Sequence, residues 1–239
     1  MTLKIVAADL SPRQRAIVAQ VQTSGFVTIE ALAAQFDVSA QTVRRDIITL
    51  ADLGYLQRFH GGAGPAADQG AARLDYGAKR TLAQAEKRTV GRLAAAAIPD
   101  GASLYLDVGT TVEACARELA TRPGFRIFTN SIRTALVFDP AEHAVQVLGG
   151  RLCGQDGSLV GEDVVRRLAG LTLDVALVAC SAIDTGGRVM DFDLSKIEIK
   201  QAAMGVARAS YLLATRSKYG RTALATVAPL AGFDRVFSD

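Results

Sequence analysis

The chain has 239 residues, 27 Lys and Arg against 24 Asp and Glu, and 49% hydrophobic residues. That length suits one large domain or two smaller ones, and the apolar share excludes a disordered chain. No apolar run reaches the ~18 residues that span a bilayer, and the start lacks a basic-then-apolar leader, so a cytoplasmic protein with no membrane partner is expected.

The three cysteines, Cys115, Cys153 and Cys180, are odd in number and far apart. That argues against a disulfide framework or a zinc cluster and for packing as small hydrophobes. The two histidines, His60 and His143, have no acidic or cysteine partner at ligand spacing. Neither a metal site, nor His-based catalysis, nor a cofactor is expected. The net charge of +3 is not a polybasic field. In residues 1–62, Lys4, Arg13, Arg15, Arg44, Arg45 and Arg58 are offset by Asp9, Glu30, Asp37, Asp46 and Asp52. Any nucleic-acid contact there is focused, not diffuse.

Ser11-Pro12 opens a first helix, Ser at the N-cap and Pro at the first helical position. It runs from Arg13 to about Thr23 with Ile17, Val18 and Val21 inward, and Ser24-Gly25 stops it. Phe26-Val27 is extended. Thr28 caps a second helix, Ile29 to Phe36, and Asp37-Val38 is the turn. Ser39 then caps a third helix reaching about Leu53, because its hydroxyl can accept from a backbone N–H two or three residues on. Val43, Ile47 and Leu50 recur at i, i+4 and i+7 and face inward. Gln41 and Arg45 fall on the opposite face, with Arg44 on its flank. Such a cluster suits the major groove, where Arg pairs with guanine and Gln with adenine. Taken alone it equally fits a solvated charged face. Gly54 ends the helix. Tyr55 to Phe59 is strand-like and His60-Gly61-Gly62-Ala63 is a turn, together a small wing from which Arg58 and His60 can reach phosphates.

Residues 13–63 resemble the N-terminal reader of DeoR-type bacterial transcriptional regulators. The run Ser39-x-x-Thr42-Val43-Arg44-Arg45-Asp46 and the turn His60-Gly61-Gly62-Ala63 occur together at the family's separation. The resemblance implies a winged helix-turn-helix in which Ser39, Gln41, Thr42, Arg44 and Arg45 contact double-stranded operator DNA. Residues 1–63 are thus expected to form the reader, and 64–77, rich in Ala, Gly, Pro and Asp, a linker.

Residues 78–239 are expected to form the second domain. A helix is expected from Lys79 to Ala97, with Leu82, Val90, Leu93, Ala94 and Ala97 inward and Glu86-Lys87-Arg88 solvated. Strands near 104–106, 125–128, 145–148, 173–179, 211–214 and 236–237 then alternate with helices near 112–119, 132–138, 162–169 and 194–209. That pattern means an α/β domain with a mostly parallel sheet covered on both faces. Ligands bind such sheets at the carboxyl ends of the strands. Polar clusters stand there: Asp107/Gly109/Thr110/Thr111, Thr129/Asn130/Ser131, Gly149/Gly150, and Asp184 with Gly186 and Gly187. The first suits a phosphate, since Gly109 allows close approach and Thr110 and Thr111 open a helix. By itself Gly-Thr-Thr is also a plain strand–helix cap. Lys218, after a later strand, can add a positive charge.

The second half also resembles the DeoR family, through Glu86-Lys87, Asp107-x-Gly-Thr-Thr111, Thr129-Asn130-Ser131, Gly149-Gly150, Ile183-Asp184 and Ser217-Lys218-Tyr219-Gly220. The family's effector domain is similar to sugar-phosphate isomerases. The resemblance implies a phosphorylated sugar or polyol on the Gly109–Thr111 loop near Lys218, and a homo-oligomer, dimer or tetramer. Asp156 to Glu162 and Asp191-Phe192-Asp193 with Lys200 look closest to the glycerol-3-phosphate repressor branch. One departure is Thr215, where the family usually carries Asp before the Ser-Lys pair. Two other readings stay open: an isomerase-type enzyme using Asp107, Asp184 or Asp193 as acid or base, and a DNA-binding module whose second domain only oligomerises.

Overall fold

The computed structural model describes residues 10–24, 26–59, 61–65, 83–154 and 156–239. The chain divides into two compact units, 1–73 with 222–224 and 74–221 with 225–239. His60, the linker beyond Pro65 and the expected helix start at Lys79 to Leu82 lie outside the described residues.

In the first unit, helices α1 (Pro12–Ser24), α2 (Ile29–Phe36) and α3 (Ala40–Asp52) enclose a core of Ile17, Val21, Leu32, Val43, Ile47 and Leu50. Thr28 caps α2 and Ser39 caps α3, each hydroxyl accepting from a backbone N–H three residues on at 3.1 Å. Asp37 ends α2 in the left-handed region (φ 48°), which an Asp tolerates better than a branched residue, and so turns the chain sharply into α3. Strands β1 (Val27–Thr28), β2 (Leu56–Phe59) and β3 (Gly62–Pro65) form an antiparallel sheet in the order β1-β3-β2. The wing is therefore tied to the strand before α2. Gly62 is needed there, because a Cβ would stand 2.2 Å from the Val27 carbonyl oxygen.

The second unit is built on a six-stranded sheet, all neighbours parallel, in the order β14-β12-β9-β4-β5-β6. These are β4 (Ser103–Leu106), β5 (Arg126–Thr129), β6 (Ala144–Val147), β9 (Leu173–Ala179), β12 (Ala207–Leu213) and β14 (Arg235–Phe237). Side chains alternate across it. Leu104, Leu106, Val175 and Leu177 join one core with α4 (Gln84–Ala96) and α5 (Thr110–Leu119). Tyr105, Ala176, Val178 and Leu212 join the other with α7 (Glu162–Ala169) and α8 (Leu194–Val206). Short α6 (Ile132–Ala135) follows β5.

Several expectations need correction. Leu93 is exposed and Lys87 is buried, the reverse of the expected arrangement. The helix after Ser131 stops at Ala135, because the Val137 and Phe138 amides bond three residues back and the residue before Pro140 disfavours helix. The long helix ends at Val206, not Ala209, because Ala207 already pairs with Leu173 in the sheet. Two elements were not expected: the hairpin β7 (Arg151–Cys153) with β8 (Ser158–Val160), and the small antiparallel sheet β10 (Ala182–Ile183), β11 (Arg188–Asp191), β13 (Ala225–Pro229).

Gly91 lets α4 lie directly on α5, since a Cβ there would stand 2.7 Å from the Cys115 amide nitrogen. Gly91→Ala is expected to lower unfolding stability by about 1–3 kcal/mol through overpacking, measured as a shift in urea midpoint.

Candidate functional site

The candidate reading face is α3. Val43, Ile47 and Leu50 are buried, which turns Gln41, Arg44 and Arg45 outward. Ser39 and Thr42 join hydroxyls at 2.9 Å at the start of the helix, and Ser39 is exposed. Arg58 is exposed on β2 of the wing. A residue not singled out from sequence holds this face in place. Asp46 is buried and accepts from Arg13 Nε at 2.6 Å and from Gln14 Nε2 at 3.2 Å. It ties α3 to α1 on the side opposite the outward arginines. Its signal was the Arg44-Arg45-Asp46 triplet itself, where one acid follows two bases on the other helix face.

The second site lies at the carboxyl ends of β4, β9 and β12. Asp107 follows β4, is 2% exposed, and is ion-paired with Lys200 of α8, itself 2% exposed. Asp107 also accepts the Ala179 amide, and Lys200 donates to the Ala179 carbonyl and lies 3.5 Å from Asp191. Burial pushes the Lys200 ammonium down, but the Asp107 and Asp191 carboxylates outweigh it and hold it above its ordinary value. Asp107 is thus a buried anchor whose charge is already matched.

Above this floor, Gly109 (φ 153°) passes Ala179 so closely that a Cβ there would stand 3.2 Å from the Ala179 Cβ, and it starts α5 without a side-chain cap. Thr110 is half-buried and Thr111 buried. Lys218 ends a 3-10 turn after β12, in the electrostatic reach of Cys180, Asp191 and Arg221. Lys87 arrives from α4, one turn before Gly91, beside Glu113 of α5 and Lys218. Its ammonium is lowered to about 8, by burial first and then by the Lys218 charge. Lysines from two distant segments therefore lie within electrostatic reach of each other, and Lys87 also of Glu113 in the first turn of α5. Sequence reading placed Lys87 on a solvated face, and only its four-residue spacing from Gly91 hinted at this role.

The other clusters serve the frame around this place. Thr129 donates to the Leu106 carbonyl at 2.6 Å, Asn130 accepts from Tyr105 Oη at 2.8 Å and donates to the Leu159 carbonyl, and Ser131 caps α6. They close the end of β5 and hold hairpin β7–β8 against it. Gly150 makes room for that hairpin, since a Cβ would stand 2.8 Å from the Val160 carbonyl oxygen, while Gly149 has open space. Asp184 stands in the β10–β11 turn, next to Ile183, which bridges to Tyr219 beside Lys218. Its carboxylate accepts from the Arg188 and Gly186 amides and pairs with Arg188 Nε at 2.6 Å. The Arg188 amide above all holds it below the usual carboxylate range. The Cys180 thiol is pushed up to about 12 by burial and is not a nucleophile. Thr215, at the departure from the family pattern, is buried with its hydroxyl 2.9 Å from Ser217. Among the described residues, no group of three or more His, Cys, Asp and Glu could hold a metal ion, and no helix is long and apolar enough to cross a membrane.

Two family descriptions match this chain: the DeoR-like helix-turn-helix domain over residues 13–68 and the DeoR C terminal sensor domain over residues 82–239. The chain belongs to the DeoR family. Similar proteins of that kind include the glycerol-3-phosphate regulon repressor of Haemophilus influenzae, 34% identical over 95% of this chain and 89% of the relative. The HTH-type transcriptional repressor CsqR of Escherichia coli is 31% identical over 96% and 87%. Among solved structures, ribose 5-phosphate isomerase A of Methanocaldococcus jannaschii covers 57% of this chain and 54% of its own at 15% identity, TM-score 0.43. The sorbitol operon regulator SorC of Klebsiella pneumoniae covers 96% and 97% at 13% identity, TM-score 0.41. This DeoR-family protein is a DNA-binding transcriptional regulator with a winged helix-turn-helix and a parallel α/β second unit.

Two outcomes follow from this regulator's geometry. Arg45→Ala should weaken binding to its operator by about tenfold or more, the scale of one lost bidentate base contact, with the unfolding temperature unchanged, as read by fluorescence anisotropy and a thermal melt. Lys200→Met should cost about 3–5 kcal/mol of stability, because it leaves the Asp107 carboxylate buried without a counter-charge; urea unfolding measures it.

Proposed function

We propose that this regulator is a homo-oligomeric repressor of a carbohydrate or polyol catabolic operon, and that a phosphorylated sugar or polyol bound by the second unit changes its affinity for operator DNA. The observation that carries the reading is the pair of lysines, Lys87 and Lys218, beside the uncapped start of α5. Like charges held partly out of water repel each other and lose hydration. A phosphate dianion relieves both costs and also accepts from the hydroxyls and N–H groups of Thr110 and Thr111 at the positive end of the helix. Ser181 and Asp191, bonded to each other at 2.7 Å, stand near Lys218 and can take hydroxyls of the organic part. Relatives named for the glycerol-3-phosphate regulon support a small polyol phosphate as the first compound to try.

Gln41, Arg44 and Arg45, with Ser39 and Thr42 at the helix start and Arg58 and His60 from the wing, are the proposed operator contacts. Asp107, Thr129, Asn130, Ser131, Gly149, Gly150 and Asp184 shape the sensor rather than touch the phosphate. The ligand acts by binding the DNA-competent and incompetent states unequally, and operator binding changes ligand affinity by the same factor. A non-catalytic role is favoured because the candidate acids are occupied. Asp107 pairs with Lys200, Asp184 with its own turn, and Asp193 caps α8 by accepting from the Ser195 and Lys196 amides. Each of these three carboxylates already has a partner within the fold, which favours a structural role over proton transfer.

Thr110→Val combined with Thr111→Val should leave operator binding intact and abolish the response to glycerol 3-phosphate and related polyol phosphates, followed by anisotropy with added ligand. An unaltered response overturns the assignment. A second test uses protons. A bound phosphate raises Lys87 again from about 8, so binding takes up a proton near that pH and affinity falls as pH rises through it. Calorimetry in buffers of different ionisation enthalpy should show this uptake in the wild type. It should be lost, with most of the affinity, in Lys87→Met.

A further inference from the structure

The sheet of the second unit ends on one side at β6, Ala144-Val145-Gln146-Val147, and among the described residues no strand pairs with its outer side. The amides of Ala144 and Leu148 donate inward to β5, to the Phe125 and Thr129 carbonyls. Alternation along a strand then turns the N–H and C=O groups of Val145 and Val147 outward. Natural edge strands are blunted by Lys, Pro, a bulge or a cover. The opposite edge, β14, is three residues long and begins with Arg235. β6 has no charge, no Pro and no Gly, and three of its four residues are exposed. Exposed apolar side chains gather on the segments flanking it: Leu136 at 81%, Leu152 at 57%, Val147 and Ile132.

We propose that this edge pairs with the same edge of a second copy of the chain, in antiparallel register about a two-fold axis through Gln146. That register is the one the outward groups allow. Val145 exchanges both hydrogen bonds with Val147 of the partner subunit, and Val147 with Val145 of the partner subunit, while the two Gln146 face each other as a non-bonded pair. The occupant is a second copy because the edge is self-complementary in charge. Acidic Asp139 and Glu142 precede β6 and basic Arg151 follows it, all exposed. Antiparallel pairing lays the acidic approach of one copy against the basic exit of the other. A like-signed or parallel partner loses that match. The result is one continuous sheet across a closed, isologous dimer, which leaves no edge on that side for further growth. The inference deepens the homo-oligomeric part of the proposed function, on which it rests, by naming the interface, and it uses neither ligand nor operator in its test.

Sedimentation velocity of the full-length protein should give twice the chain mass of 25.2 kDa, or a multiple. Val147→Pro removes one outward amide and no inward bond, so it should halve that mass. Gln146→Cys, at an exposed position, should cross-link to a covalent dimer under mild oxidation, and the wild type should not. Glu142→Arg and Arg151→Glu should each weaken association by about tenfold, and their combination should restore it. A wild-type protein at 25.2 kDa, an unchanged mass for Val147→Pro, or a Gln146→Cys chain that does not cross-link overturns the proposal. None of these outcomes bears on whether phosphate binds at Lys87.

Discussion

One buried ion pair organises the second unit. Lys200 of α8 reaches through the layer beneath the sheet to Asp107 at the end of β4, donates to the Ala179 carbonyl at the end of β9, and lies near Asp191 of β11. Four elements meet at one ammonium group. Taking both charges out of water is expensive, and the pair persists because each partner has further hydrogen bonds and the geometry is close. A pair of this kind is weak evidence for stability. It does fix position, since a shift of any of the four elements would strand a charge away from water.

That fixed floor is why the groups proposed to meet a ligand are the ones around it and not the pair itself. Asp107 brings the end of β4 against β9, Gly109 passes Ala179 where a Cβ would crowd it, and α5 begins without a side-chain cap. Lys87 and Lys218 come from elements on either side, each partly dehydrated and each made less basic by its surroundings. Glu113 and Asp191 offset those two charges only in part, since burial still leaves both ammonium groups less basic than usual. The polar residues at the end of β5 spend their hydrogen bonds on closing the sheet and on seating the β7–β8 hairpin.

The first unit uses the same economy on a smaller scale. Asp46 is held by Arg13 and Gln14, so the acid of the Arg-Arg-Asp triplet faces the scaffold and both bases face out. Gly62 lets the wing lie against the strand before α2. Helix α3 and the wing are therefore held in one packed unit.

Local rules were enough for much of this. The caps at Thr28 and Ser39, the inward Val43, Ile47 and Leu50, the outward Gln41 and Arg45, and the apolar run from Leu173 to Ala179 follow from hydroxyl capping and from periods of 3.6 and 2, which need only near neighbours. The sites of the polar clusters at strand ends were also legible, because alternating strands and helices imply a parallel sheet. What required the tertiary structure was the use each polar residue makes of its position. Nothing near Lys87 in the chain marks it as buried beside Lys218, nothing near Asp107 says that its charge is met by Lys200 93 residues away, and nothing near Asp184 says that its own turn consumes it. The end of α8 at Val206 was likewise decided by pairing with Leu173 and not by the helix's own pattern. Capping and periodicity are short-range and can be read along a chain, whereas desolvation and ion pairing depend on what folding brings together.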